Sequence, residues 1–324
     1  TNGENSFWLA AINYHYDLAT ILHNVYYANP DILSKSGQTL LHVAYSQGNQ
    51  ELLYYLLNNG ASPNIPNSDR ETVQYIAFMK KDDQIAEMIQ SYYKGDINSK
   101  GKEGNSLGHL AILQHDINRL EYYIHRGLSI GIKNDLGYSL FMSAIVDVDD
   151  DLDLCKFLLD RGSNINTQDA KGGTPFYNVC KSRKFNREKF DFLLQNKCNI
   201  NIQTIERDFP ISQLISKNKK EEALLLLDMK ANIMDPESPT EPICIAIKNR
   251  DQYWFDLLIE HGSNGMNNKY PLIENYIRTD FFNFNTLKRL MPLNSTVGAP
   301  IQISIKRCMF DVAHFLWENA DQKS

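Results

Sequence analysis

The octapeptide GQTLLHVA, residues 37–44, decides the fold of this chain. His42 is the single polar side chain in the apolar run formed by residues 40–44. A lone histidine of this kind can act as a general base in catalysis, or it can hold a folding element together through hydrogen bonds. Recurrence separates the two interpretations, because an active site needs its base once, whereas a folding signal is needed in every structural unit.

Segments related to this octapeptide recur along the whole chain, with spacings of 29 to 35 residues. Twelve to fifteen residues after several of them comes a second signature, as in LLNNGASPN (56–64) and LLDRGSNIN (158–166). Self-similarity at such a period predicts stacked supersecondary units and not a single globular core. We number these repeats 1 to 10; they start near residues 3, 37, 70, 104, 137, 172, 207, 239, 268 and 297.

The two signatures together resemble the ankyrin repeat, whose pattern is G-x-T-P-L-H-x-A followed by L-L-x-x-G-A-x-x-N. The resemblance covers nearly the whole chain; it is strong for repeats 2, 4, 5 and 6 and degraded from repeat 7 onward. It implies an all-α repeat solenoid, an array of helix pairs joined by β-hairpin-like loops. We therefore expect residues 1–324 to form one ankyrin-repeat solenoid of about ten repeats.

On that fold the residues of GQTLLHVA have structural roles. Gly37 supplies the positive φ of the opening turn, and Thr39 caps the first helix. His42, three positions later, can reach the capping hydroxyl and nearby backbone groups. His109 occupies the same place in GNSLGHLA, residues 104–111. We expect both histidines to support folding and not turnover.

Composition and charge exclude several classes of protein. No apolar run is long enough to span a membrane and the first residues lack a signal-peptide pattern, so we expect no membrane span. The net charge of −6 is uneven: residues 1–162 carry 12 Lys+Arg against 20 Asp+Glu, and residues 163–324 carry 21 against 19. This balance argues against a nucleic-acid binder.

The cysteines are odd in number and far apart, which predicts reduced thiols and a cytoplasmic protein; they are Cys155, Cys180, Cys198, Cys244 and Cys308.

Motifs for catalysis, metal binding or cofactors are missing from the sequence. The acidic run DVDDDLD, residues 147–153, has alternating carboxylates like a calcium loop, but Leu152 stands where the loop needs glycine and Leu158 where it needs glutamate. Neither a phosphate-binding glycine loop nor an H-E-x-x-H zinc motif occurs. The sequence therefore predicts a protein that is no enzyme and has no metal and no cofactor.

Surface recognition remains as the function to expect. The resemblance implies that the first helices and the turns after them line a concave face, so residues just beyond each octapeptide are candidates for partner contacts. In the first half these are Tyr14, Met79 and Leu113. In the second half a basic residue recurs in every repeat, which indicates a positive ribbon; the ribbon residues are Lys181, Lys217, Lys248, Arg278 and Arg307.

The sequence thus favours a protein–protein interaction module or scaffold that binds a partner with an acidic surface on its concave face. Two alternatives stay open: a substrate-recruiting arm of a larger enzyme, and a binder of anionic lipid or nucleic acid through the basic half. The worn repeats are also similar to those of ankyrin effectors of intracellular bacteria and of protist proteins. An effector would work in the host cytosol.

Overall fold

The computed structural model describes most of the chain, and it divides into two compact units, Thr1–Ala170 and Lys171–Ser324. The described residues are 5–148, 152–235, 241–262 and 309–320, with the positions 276–278, 282, 283, 285, 287 and 300 between them. We describe the two units separately. The acidic residues 149–151 and Arg307 lie outside the described residues.

The first unit is built from five helix pairs, in each of which a short first helix is followed by an antiparallel second helix. A 3-10 turn at Lys102–Gly104 precedes the fourth pair. The hairpin tips contain two isolated β-bridges, Lys100 with Ser106 and Lys133 with Ser139. The helices are α1 (Ser6–Ile12), α2 (Tyr16–Asn24), α3 (Leu40–Ser46), α4 (Gln50–Asn58), α5 (Val73–Met79), α6 (Asp83–Tyr93), α7 (Leu107–Leu113), α8 (Ile117–His125), α9 (Leu140–Val146) and α10 (Asp153–Asp160).

The second unit continues the same pattern of helix pairs. Three of its first helices begin with proline, which fits the first helical position because its fixed φ suits a helix and its missing N–H has no partner there. Its described helices are α11 (Pro175–Lys181), α12 (Arg187–Gln195), α13 (Pro210–Ser216), α14 (Lys220–Asp228), α15 (Pro242–Lys248), α16 (Gln252–Glu260) and α17 (Phe310–Ala320).

The chain leaves most first helices through a residue with positive φ, which turns it back toward the second helix. Gly48 serves this role after α3, with φ of 67°. Elsewhere a residue with a side chain is held in this left-handed conformation, with φ between 55° and 62° and at a cost in backbone strain; these residues are Tyr14, Lys81, His115, Asn218 and Arg250.

Ion pairs join the second helices of neighbouring repeats. Arg119 of α8 pairs with Asp83 of α6 at 2.6 Å, and Arg161, which directly follows α10, pairs with Glu121 of α8. In the second unit Arg187 of α12 lies 3.4 Å from Glu222 of α14. Because most of these side chains are partly exposed, each pair contributes about 1 kcal/mol or less.

Asparagines join the hairpin tips of successive repeats. The Asn64 amide accepts from the Asp96 N–H at 2.9 Å and donates to the Lys94 carbonyl at 3.0 Å. The Asn98 amide likewise accepts from the Ser129 N–H at 2.7 Å. Each such side chain satisfies backbone groups that would otherwise lie unpaired in the loop.

The prediction of an all-α repeat fold is confirmed in both units. The single array over residues 1–324 stays a prediction. Four of the cysteines are buried thiols without a disulfide, Cys155, Cys180, Cys198 and Cys244.

Candidate partner-binding surface

His42 joins two repeats through three polar contacts. Its Nε2 lies 2.9 Å from the Glu71 carbonyl oxygen, which can only accept, so Nε2 carries the proton and Nδ1 is an acceptor. Nδ1 accepts from the Thr39 hydroxyl at 2.7 Å and from the Thr39 N–H at 3.3 Å. Burial lowers the pKa of His42, which keeps the ring neutral, although the bond to the Glu71 carbonyl opposes this shift.

His109 repeats this arrangement in repeat 4. Its Nδ1 accepts from the Ser106 hydroxyl at 2.8 Å and its Nε2 donates to the Tyr138 carbonyl at 2.9 Å. Burial lowers the pKa of His109 as well. Both rings are buried, at 3% and 1% exposure, and both are saturated by backbone and cap contacts. The predicted capping geometry of these histidines is confirmed.

Tyrosine replaces histidine at this position in repeats 3 and 6, which the sequence reasoning missed. The Tyr75 hydroxyl donates to the Asn105 carbonyl at 3.1 Å, so it reaches the same backbone group as the histidines do. The Tyr177 hydroxyl donates to the Asp208 carboxylate at 2.8 Å. The alignment of RETVQYIA and GGTPFYNV with GQTLLHVA is the signal that could have found them.

The candidate contact residues of the first unit are all exposed. Met79 and Leu113 end helices α5 and α7 and occupy equivalent places. Tyr14 lies two residues further along its repeat, at the left-handed position held by Gly48 in repeat 2. Its hydroxyl accepts from the Asn49 amide at 3.2 Å.

A cleft of about 190 Å³ opens between the turns of repeats 2 and 3. Tyr45 forms one wall, and the Lys80 ammonium lies 5.2 Å from the centre of its ring. Burial, with the Asp82 carboxylate next to the hydroxyl, raises the pKa of Tyr45 to about 12. The cleft therefore combines a neutral phenol with one charge of each sign.

The candidate cations of the second unit differ in their surroundings. Lys181 and Lys248 are exposed at the ends of α11 and α15. Lys217 is half-buried, and its ammonium donates to the carbonyls of Cys180 at 3.0 Å and Ser182 at 2.9 Å. Lys217 thus caps the end of α11, a role that the sequence did not indicate.

The last two candidates are Arg278 and Arg307. Arg278 is exposed. Arg307 lies outside the described residues, so its place on the ribbon stays a prediction.

Further cations lie in the same turns as Lys181 and Lys217. Arg183 and Lys184 are exposed in the turn of repeat 6. The Lys219 ammonium in the turn of repeat 7 lies over the Phe185 ring, 5.0 Å from its centre. Burial lowers the pKa of Lys217, and the positive charges of Lys181 and Lys219 lower it further. Neighbouring turns therefore share one positive field.

Comparison with known proteins identifies the repeat. The family model described as ankyrin repeats (3 copies) matches residues 7–101, and the one described as ankyrin repeats (many copies) matches residues 140–194. The chain contains ankyrin repeats. An ankyrin repeat protein of Acanthamoeba polyphaga mimivirus is 28% identical over 171 residues, which cover 51% of this chain and 21% of the relative. One of fowlpox virus (strain NVSL) is 30% identical over 125 residues, which cover 38% and 28%.

A solved structure is also similar to this chain. The ankyrin repeat domain of Bcl-3, a member of the IkappaB protein family, aligns with a TM-score of 0.46 at 18% identity and covers 65% of this chain and 94% of that one. The two relatives above are viral, so they lend no support to a bacterial or protist source.

Ankyrin repeats are generally protein–protein interaction modules and are typically non-catalytic. The described helices are all too short or too polar to cross a membrane. Among the described residues, no group of three histidine, cysteine or carboxylate side chains is arranged to hold a metal ion.

The chain spans 21% and 28% of the lengths of its two viral relatives.

Proposed function

We propose that the second unit binds an acidic segment of a partner protein with the turns of repeats 6, 7 and 8, and that the chain performs no catalysis of its own. We call these turns the basic turn surface; its cations are Lys181, Arg183, Lys184, Lys217, Lys219, Lys220 and Lys248. The observation that carries the proposal is the crowding of three of these cations, Lys181, Lys217 and Lys219. Lys217 is held against two carbonyls while Lys181 and Lys219 repel its charge.

Contacts between the turns keep this surface in one piece. The Lys217 ammonium joins the turn of repeat 7 to that of repeat 6. The Lys220 ammonium lies 4.5 Å from the centre of the Tyr253 ring in repeat 8. Three adjacent turns therefore present cations from fixed positions, and a carboxylate-rich segment would relieve their mutual repulsion.

Three carboxylates among the described residues near these turns have partners other than the surface cations. Glu221 and Glu222 lie on α14 and face Arg187 of α12, at 3.9 Å and 3.4 Å. Asp251 accepts from the Trp254 N–H and so caps α16. The field of the turns thus remains positive, which speeds the association of an acidic partner at low salt.

Stopped-flow association with a labelled peptide of ten glutamates tests the proposal. The variant Lys184→Glu, Lys220→Glu, Lys248→Glu should lower the association rate by about ten-fold at low ionic strength, with a smaller effect at high salt. The matched control, Lys35→Glu, Lys94→Glu, Lys102→Glu, changes charge equally in the first unit and should have little effect. Equal losses in both variants would overturn the proposed site.

Two further probes separate the other classes of ligand. Vesicles containing phosphatidylserine and a DNA duplex should bind more weakly than an acidic protein segment does. Steeply salt-dependent binding to either probe, without binding to the peptide, would replace the proposal by recognition of lipid or nucleic acid. A role as the substrate-recruiting arm of a larger enzyme remains compatible with the same surface.

A further inference from the structure

The second helix of repeat 1 carries an exposed apolar stripe. Leu18, Ile21 and Val25 are 49%, 50% and 60% exposed. Their spacing of three and four residues places them on one face of the helix and its last turn. We call these three residues the α2 stripe.

The corresponding face of α8 in repeat 4 contacts the preceding repeat. The helices α2 and α8 have the same length, and the α2 stripe corresponds to Arg119, Tyr122 and Arg126. All three side chains hold α6, the second helix of repeat 3. Arg119 pairs with Asp83 at 2.6 Å, Arg126 pairs with Glu87 at 2.7 Å, and the Tyr122 hydroxyl donates to Glu87.

The face of α4 in repeat 2 contacts its preceding helix in the same way. Leu52 occupies the place of the first stripe residue and is 0% exposed. Tyr55 occupies the place of the second, and its hydroxyl donates to the Tyr16 carbonyl at 3.0 Å and lies 2.8 Å from the Thr20 hydroxyl. In both repeats this face is covered by the helix pair that comes before it in the chain.

We propose that the α2 stripe is the docking face for one further helix pair of the same repeat type, which the same polypeptide carries ahead of α1. The stripe is continuous with the series of inter-repeat interfaces in the first unit, and it lies where the next interface of that series would form. An exposed apolar stripe of this kind costs hydration free energy that a covering helix removes.

The chemistry of the stripe also specifies the covering helix. Arg119 and Arg126 face the acidic residues Asp83 and Glu87, which lie one turn apart on α6. The α2 stripe has no charge, so acidic side chains opposite it would lose water without gaining a partner. The covering helix therefore presents apolar side chains at the two places that Asp83 and Glu87 hold on α6.

Hydrogen–deuterium exchange tests this proposal on the full-length protein as its gene encodes it, compared with residues 1–324 alone. The amides of α2 should exchange about ten-fold more slowly in the full-length protein, because a covered terminal repeat frays less. The amides of α4 serve as the internal control and should change little. Equal exchange of α2 in the two proteins would overturn the proposal.

A substitution in the stripe supplies a second readout. Leu18→Lys, Ile21→Lys, Val25→Lys should abolish the extra protection of α2 in the full-length protein and leave exchange in residues 1–324 unchanged. A control pair at exposed tips, Leu136→Lys and Ile205→Lys, should leave both proteins unchanged. Analytical ultracentrifugation of residues 1–324 should show a monomer. If it shows a dimer that the stripe substitutions convert to a monomer, the stripe binds a second copy of the chain and the proposal is refuted.

Discussion

The junction between repeats 2 and 3 and the junction between repeats 3 and 4 hold the same backbone group by different chemistry. In the first, the His42 imidazole donates to the Glu71 carbonyl and also binds the Thr39 cap. In the second, the Tyr75 hydroxyl donates to the Asn105 carbonyl. The comparison teaches that an imidazole and a phenol at the sixth position of the octapeptide can reach the same target, the carbonyl one residue before the next helix cap.

The two side chains give their junctions opposite responses to pH. Burial lowers the pKa of His42 and raises that of Tyr75. Imidazole is charged when protonated and phenol when deprotonated, and burial disfavours the charged form of each. One junction is therefore sensitive to acid and the other to alkali.

The largest expected effect is the loss of the Tyr75 ring. Tyr75→Ala should lower the free energy of unfolding by about 3–5 kcal/mol, because a fully buried ring leaves a cavity and the Asn105 carbonyl loses its donor. Urea unfolding followed by circular dichroism measures the change.

The variant Tyr75→His sharpens this result. Thr72 already caps α5, so a histidine at position 75 can form the contacts that His42 forms with Thr39. We expect the free energy of unfolding of Tyr75→His to be only about 1 kcal/mol below that of the wild-type protein, and so well above that of Tyr75→Ala. A histidine variant as unstable as the alanine variant would show that the two junctions are not equivalent.

A smaller loss is expected for His42→Gln and for His109→Gln. Each should lower the free energy of unfolding by about 1 kcal/mol, because the helix cap and the next repeat both lose a hydrogen bond. Binding of the decaglutamate peptide to the second unit should stay unchanged. A variant with intact stability but lost binding would contradict the structural role of these rings.

The pH dependence of stability separates the two kinds of junction. In the folded state the pKa values of His42 and His109 lie below the ordinary value of 6.5. Between the two values these histidines bind more protons in the unfolded chain than in the folded one, so stability falls as the pH drops below 6.5. The double variant His42→Gln, His109→Gln should remove part of this fall. Above pH 10 the unfolded chain ionises before Tyr75 does, so stability falls again; Tyr75→Phe should remove part of that second fall.

How much of this could be predicted follows from the range of each interaction. The Thr39 cap and its contact with His42 lie within one octapeptide, each helix pair lies within one repeat, and the recurring pattern predicted them. The bonds of Tyr75 to Asn105 and of Lys217 to Cys180 join residues 30 and 37 positions apart. Tyr75 departs from the histidine of the pattern and Lys217 lies beyond the octapeptide, so only the packing of neighbouring repeats revealed these bonds.

The candidate site shows the same limit. The sequence predicted a row of cations in the second half, and Lys181 and Lys248 are indeed exposed. It could not predict that Lys217 would be held by the carbonyls at the end of α11, because a lysine stem is long enough to reach several partners. The crowding of Lys181, Lys217 and Lys219 likewise depends on how the turns stack.

The smallest expected effect concerns Asp31, which stands in the row of hairpin residues that elsewhere contains Asn64 and Asn98. Its carboxylate accepts from the Ser62 N–H at 2.9 Å, and burial raises its pKa although that bond opposes the shift. A raised folded-state pKa means that ionisation of Asp31 at neutral pH destabilises the fold. Asp31→Asn keeps the acceptor, removes the charge and adds a donor, so it should raise the free energy of unfolding by about 0.5 kcal/mol. Thermal unfolding at pH 7 measures this gain. At pH 3 Asp31 is neutral in the wild-type protein, so the difference in stability between the wild-type protein and Asp31→Asn should shrink. A gain that is equal at both pH values would show that the amide donor, and not the removed charge, is responsible.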